Sequence, residues 1–168
     1  MQDICLITGG SRGIGAASAI QAAKAGFAVC FSYASDQEAA QTVVQQIEQD
    51  GGIAKAVKAD VGSEEEILSL FQIADEMGTL KAFVNNAGVV DKSQRVEEYT
   101  LERLTRMYSI NVIGSMLCAR EAVKRMSTKQ GGKGGAIVNL SSAAAYIGSP
   151  NQYVDYAASK AAIDTFTK

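Results

Sequence analysis

The sequence predicts an α/β fold built on a doubly wound parallel sheet. Three observations carry that reading. Short apolar runs alternate with segments of helical periodicity five times along the chain. The runs are predominantly apolar, as in strands buried on both faces. The polar stretches at 8–15, 33–36, 60–62, 85–91 and 141–152 follow the strands, and doubly wound sheets bind their ligands at the carboxyl ends of their strands.

Each element has its own local reason. Ile4-Cys5-Leu6-Ile7 is a buried strand that ends at Thr8-Gly9-Gly10. Ile14 to Ala25 is alanine-rich and helical, and Gly26 stops it. Phe27 to Tyr33 is the second strand. Residues 36–50 form a helix with Ala40, Val43, Val44 and Ile47 on one face, and Asp36 as its N-cap. Ile53 to Ala59 is the third strand. Ser63 with Glu66 reads as a capping box that opens a helix carrying Ile67, Leu70, Phe71 and Ala74. Leu80 to Val84 is the fourth strand, followed by Asn85-Asn86-Ala87-Gly88. One long helix is expected from Leu101 to Met126, with Asn111 on the face of Leu101, Leu104 and Tyr108. Residues 130–135 hold four glycines and form a loop before the fifth strand, Ala136 to Leu140. A last helix starts near Tyr153 and still runs at Lys168.

Composition narrows the chemistry. The 168 residues suit a single domain, 1–168, with 47% hydrophobic and 20% charged residues. A net charge of -2 leaves no footprint for nucleic acid or for an anionic membrane. No apolar run reaches the length of a membrane span, and no signal-peptide pattern opens the chain. Cys5, Cys30 and Cys118 are odd in number and widely spaced. They read as reduced, buried thiols of a cytoplasmic protein. Histidine is absent, which removes a Ser-His-Asp triad, a histidine base and most zinc or iron sites. No metal is expected.

Thr8-Gly9-Gly10-Ser11-Arg12-Gly13-Ile14-Gly15 joins the first strand to the first helix. Glycines there allow a tight turn and close approach of a phosphate, and the helix N-terminus offers free N–H groups and a positive dipole end. A P-loop is disfavoured because no Gly-Lys-Ser/Thr follows. The bland alternative is a simple strand–helix turn. The spacing Gly-x-x-x-Gly-x-Gly after Thr resembles the short-chain dehydrogenase/reductase family and differs from its extended, epimerase-like branch. Further motifs match in order: Asp60-Val61, Asn85-Asn86-Ala87-Gly88, Asn111, Ser141-Ser142 and Tyr156-x-x-x-Lys160.

Tyr-x-x-x-Lys alone is weak, since six tyrosines and ten lysines produce about 0.4 such pairs by chance. Its position at the start of the last helix carries the weight. Spacing i, i+4 puts both side chains on one face. A free tyrosine titrates near pH ~10, and a neighbouring ammonium favours its phenolate. Tyr156 then gives a proton to a carbonyl oxygen in reduction, or takes one from an alcohol in oxidation.

The resemblance implies the rest: a Rossmann-like nicotinamide site in which Lys160 also binds the ribose, Ser142 holds the substrate oxygen and Asn111 positions a water. Ser142 is preferred to Ser141 as the second of the pair. A strand-end turn is the bland reading of both serines, and a buried structural residue is that of Asn111. Tyr153 lacks the partnering lysine. The implied cofactor contacts are Gly9, Ser11, Arg12, Ile14, Tyr33, Asp60, Val61, Asn86, Ala87, Gly88, Tyr156 and Lys160.

NADP is the expected cofactor, with NAD possible. The second strand ends without the acid that would bond the ribose 2′-hydroxyl, the place being taken by Tyr33, and Arg12 can reach a 2′-phosphate. Ser32, Tyr33 and Ser35 suit either ribose form. The expected function is hydride transfer between NADP(H) and a small carbonyl/alcohol substrate. 3-Oxoacyl-carrier-protein reductases and sugar or alcohol dehydrogenases are not separable here. The alternative is a nicotinamide-binding sensor or assembly subunit without turnover. A homo-tetramer or dimer is implied by the resemblance. The last helix has no following strand, so a C-terminally incomplete domain is expected.

Overall fold

The computed structural model describes residues 2–168. Five parallel strands form one sheet in the order β3-β2-β1-β4-β5. They are β1 (Asp3–Ile7), β2 (Ala28–Tyr33), β3 (Ala54–Lys58), β4 (Thr79–Asn85) and β5 (Ala136–Asn139). Helices α1 (Gly13–Lys24), α2 (Gln37–Gln49) and α3 (Glu64–Met77) connect the first four. Between β4 and β5 run α4 (Leu101–Tyr108) and α5 (Ser115–Met126). After β5 come a single turn, α6 (Ala144–Ile147), and the long α7 (Val154–Thr167).

The strand pleat divides the core. Ile4 and Leu6 of β1 point to one face, where Ile67, Leu70 and Phe71 of α3 and Cys118 and Ala122 of α5 cover them. Cys5 and Ile7 point to the other, under Ala19 of α1 and Val43, Val44 and Ile47 of α2. The four expected apolar positions of α2 and of α3 are all buried. The three cysteines are free and buried, and burial pushes their thiols up to about 11 at Cys5 and about 12 at Cys30 and Cys118. Strand order reverses between β1 and β4, which opens a crevice at their carboxyl ends.

Four local expectations change. The single helix over 101–126 is two helices joined by a π-helical turn, Ser109–Gly114. That turn brings Gly114 against β3's exit: a Cβ there would lie 2.2 Å from the Val61 carbonyl oxygen. The face of α4 also differs. Leu101 is exposed, and Arg103 and Met107 are the buried residues. The capping box at α3 is only half formed. Ser63 Oγ accepts from Glu66 N at 3.4 Å, but the Glu66 carboxylate reaches past it to Asp60 N at 2.8 Å. Finally, the strands at the two margins of the sheet are not buried on both faces, since Ala136 and Val138 of β5 and Lys55 and Lys58 of β3 are exposed.

One buried ion cluster ties α5 together on the α3 side. Glu121, 4% exposed, accepts from Arg120 Nε at 3.0 Å, Lys124 Nζ at 2.9 Å and an Arg125 terminal nitrogen at 2.8 Å. Burial pushes its carboxyl up, but the three cations together hold it down to about 2.

Candidate active site

The turn from β1 to α1 is held by hydrogen bonds from both neighbouring strands' ends. Ser32 Oγ accepts from Gly9 N at 3.1 Å, and the Ser32 carbonyl accepts from Gly10 N at 2.8 Å. The Asn86 carboxamide donates to the carbonyls of Thr8 at 2.8 Å and Gly9 at 2.9 Å. Thr8 Oγ1 in turn accepts from the amides of Asn86 and Ala87, both at 3.0 Å. This lacing explains the glycines. A Cβ on Gly15 would sit 2.1 Å from the Gly9 carbonyl oxygen, and one on Gly10 would sit 2.5 Å from Phe31 Cβ. Beyond the turn, α1 begins with Arg12 extended, with no side-chain cap and no acidic residue in its first turn. Free N–H groups and a positive dipole end, with no acidic residue in the helix's own first turn, fit a phosphate-bearing group.

A cleft of about 360 Å³ opens here. All ten of Gly9, Ser11, Arg12, Ile14, Tyr33, Asp60, Val61, Asn86, Ala87 and Gly88 line it. So do Val89, Arg106 and Ile110, which sequence reasoning missed. Several lining residues have structural duties. Asp36 caps α2, its Oδ1 accepting from Ala39 N at 2.9 Å. Asp60 Oδ1 accepts from Gly62 N at 2.8 Å, which shapes the exit of β3. Ser32, expected as a ribose contact, has its hydroxyl on Gly9 N.

Gly88 is where the cleft meets the residues of the last helix. A Cβ on it would lie 3.3 Å from Asn111 Oδ1 and 3.5 Å from Lys160 Nζ. Lys160 is buried, and its ammonium donates to the Leu140 carbonyl at 2.7 Å. Burial pulls its pKa below the ordinary lysine value, with Asp164 opposing. The same ammonium lies 5.8 Å from the centroid of the half-buried Tyr156 ring. The π-helical turn aims Asn111 inward. Its Oδ1 accepts from Val89 N at 2.8 Å, and its Nδ2 donates to Val89 O at 2.9 Å and Ser159 Oγ at 3.1 Å. Ser159 Oγ donates to the Tyr156 carbonyl at 2.7 Å. Asn111, Tyr156 and Lys160 are therefore brought together, with Ser159 as an unforeseen link. Ser142 lies just before α6, its Oγ accepting from Ala144 N at 3.2 Å, while Ser141 Oγ donates to the Lys160 carbonyl at 3.3 Å.

A family model described as short chain dehydrogenase matches residues 3–168. The chain belongs to the short-chain dehydrogenase family. It is 51% identical over 165 residues to the uncharacterized oxidoreductase YgfF of Escherichia coli (strain K12), covering 98% of this chain and 67% of that protein. It is 37% identical to a 3-oxoacyl-[acyl-carrier-protein] reductase of Synechocystis sp., covering 98% of this chain and 65% of that one. A solved short-chain dehydrogenase/reductase from Serratia marcescens superposes with a TM-score of 0.91 at 33% identity, over 99% of this chain and 66% of that one. The chain thus spans about two thirds of the length of these relatives. The parallel sheet with its flanking helices matches that of these structural relatives. Among the described residues no helix is long and apolar enough to cross a membrane.

Proposed function

We propose that this protein is an NADP(H)-dependent oxidoreductase that interconverts a small carbonyl compound and its alcohol, with Tyr156 as general acid/base. One observation carries the reading: the phosphate-type cleft ends at Gly88, directly against Asn111 and Lys160, and Lys160 lies beside the Tyr156 ring. The bound nicotinamide supplies or receives the hydride. In reduction Tyr156 gives its phenolic proton to the carbonyl oxygen, and in oxidation it takes the proton back from the alcohol. Lys160 holds the nicotinamide ribose and keeps a positive charge beside the phenol. Ser142 donates a hydrogen bond to the substrate oxygen, and Asn111 positions the water that resupplies the proton.

NADP is favoured over NAD on two grounds. Tyr33 stands where a ribose-binding acid would be, and the nearest acid, Asp36, is engaged as the cap of α2. Arg12 lines the same cleft and is exposed, so its guanidinium is free to meet a 2′-phosphate. Residues 1–168 act as one nicotinamide-binding unit of a cytoplasmic homo-tetramer or dimer.

The deciding experiment follows the loss of reduced-nicotinamide absorbance with a panel of carbonyl compounds, β-keto esters included. Turnover should fall at least a hundredfold in Y156F, as removal of a general acid does, with NADPH still bound. Turnover in Y156F equal to wild type would refute the assignment.

A further inference from the structure

We infer that Arg103 and Asp155 are positioning residues for Tyr156: their buried ion pair sets the rotation of α7 about its axis and so the place of the phenol. The inference rests on the reading of Tyr156 given above. The pair is the most deeply buried ion pair among the described residues, with side chains 5% and 0% exposed. Arg103 Nε donates to Asp155 Oδ2 at 2.6 Å, and a terminal nitrogen donates to Oδ1 at 3.2 Å. Asp155 immediately precedes Tyr156, and its Oδ1 also accepts from Tyr156 N at 2.9 Å.

The start of α7 needs this help. Its N-cap, Tyr153, provides no capping side chain, so the first-turn N–H groups must find partners elsewhere. Asp155 takes the amide of Tyr156, and Tyr99 Oη accepts from Val154 N at 3.1 Å. Arg103 organises both, because its guanidinium stacks 4.7 Å from the centroid of the Tyr99 ring. Its other terminal nitrogen donates to Lys92 O and Gln94 Oε1, both at 2.7 Å. Gln94 N donates to Gln152 O at 3.0 Å. One arginine thus joins α4, the loop after β4 and the first turn of α7.

A bidentate pair on one flank of a helix resists rotation, because both bonds must stretch together. Tyr156 lies about 100° further round the same helix, so a small roll of α7 sweeps the phenol sideways. A misplacement of about 1 Å costs about a hundredfold in rate. Fold stability does not require the charges, since replacing both members of a buried pair by apolar residues is often neutral.

The test compares wild type with R103M/D155L and R103M/D155N, using NADPH and ethyl acetoacetate as probes. Both variants remove the two charges together, but the second keeps an oxygen able to accept from Tyr156 N. Expected are melting temperatures close to wild type, NADPH Kd and ethyl acetoacetate KM within about twofold, and kcat down about ten- to a hundredfold in R103M/D155L. R103M/D155N should lose less. Amide exchange over residues 153–157 should accelerate in R103M/D155L while the sheet is unaffected. Unchanged exchange there overturns the inference, as does a kcat loss that follows the melting temperature or is matched in KM. If R103M/D155L does not fold, the same exchange and KM-against-kcat comparison is read from R103M/D155N. If wild type reduces no carbonyl but the local exchange still accelerates, the positioning inference stands and the oxidoreductase reading fails.

Discussion

Replacing Asn86 by aspartate should damage the glycine turn more than replacing it by alanine. The Asn86 amide nitrogen donates to two carbonyls, Thr8 O at 2.8 Å and Gly9 O at 2.9 Å, in a half-buried position. N86A removes two neutral hydrogen bonds at about 1 kcal/mol each, so about 2 kcal/mol is expected. N86D keeps the shape but turns a donor into an ionised acceptor facing two carbonyl oxygens. The same two bonds are lost, and a partly desolvated charge meets two unfavourable dipoles, for about 3–4 kcal/mol at pH 7. The introduced carboxyl therefore has a folded-state pKa above its unfolded value near ~3.9. Its protonated form restores one O–H donor, so stability lost at neutral pH returns as pH falls through that raised value. Urea unfolding of wild type, N86A and N86D at pH 7 and pH 5, with NADPH affinity in parallel, reads all three effects. If N86D is as stable as N86A at pH 7, or if its deficit does not shrink at pH 5, the carboxamide does not clamp the glycine turn.

Three further outcomes are expected. E121Q should lose about 1–3 kcal/mol at pH 7, because Glu121 is held at about 2 from an ordinary 4.5. That contribution is present above 4.5 and lost as pH falls towards 2, so denaturant unfolding of wild type and E121Q should converge over that window and remain parallel above it. G15A forces a Cβ to within 2.1 Å of Gly9 O and 2.6 Å of Asn86 Nδ2, so it should cost about 2–3 kcal/mol and weaken NADPH binding measured by fluorescence. R12A should raise the Michaelis constant for NADPH about tenfold and leave that for NADH within about twofold, as the loss of one charge-assisted bond to a phosphate does; equal effects on both cofactors would remove Arg12 from the 2′-phosphate.

The sheet and the cleft were legible because their signals are local. Apolar runs bounded by glycine mark strands, and the turn at 8–15 sits where a doubly wound sheet puts its ligand. Asp36 and Ser63 also read correctly as helix caps, since capping depends on residues three positions away. What escaped depends on partners far along the chain. The π-helical turn at Ser109–Gly114 answers to the close approach of Gly114 to Val61, which no periodicity announces. The buried face of α4 differs too, so Arg103, which lies off the expected face of Leu101, Leu104 and Tyr108, meets a carboxylate 52 positions away. Ser159 carries no local signal for the same reason, because its value lies in bridging Asn111 and the Tyr156 carbonyl.

Asparagine recurs at this end of the sheet for a physical reason. Where parallel strands leave the ladder, neighbouring backbones present N–H and C=O groups whose next strand residue is gone, and each must find a partner. A carboxamide carries a donor and an acceptor on one short stem. Asn86 takes two carbonyls of the β1 turn. Asn85 donates to Ser115 O and to Asn139 Oδ1, and Asn139 donates to Thr167 Oγ1, so one chain of amides runs from β4 through β5 to α7. Asn111 takes both polar groups of Val89 at once. Among the described residues no buried side-chain nitrogen or oxygen lacks a partner. The cleft floor and the Tyr-Lys helix are thus coupled through polar groups that are already satisfied without a ligand, and such a network holds its geometry before anything binds. A serine or alanine at any of these four positions leaves at least one group unmatched, and the loosened element in each case is one that carries the glycine turn, the sheet edge beside Lys160, or the segment that follows Gly88.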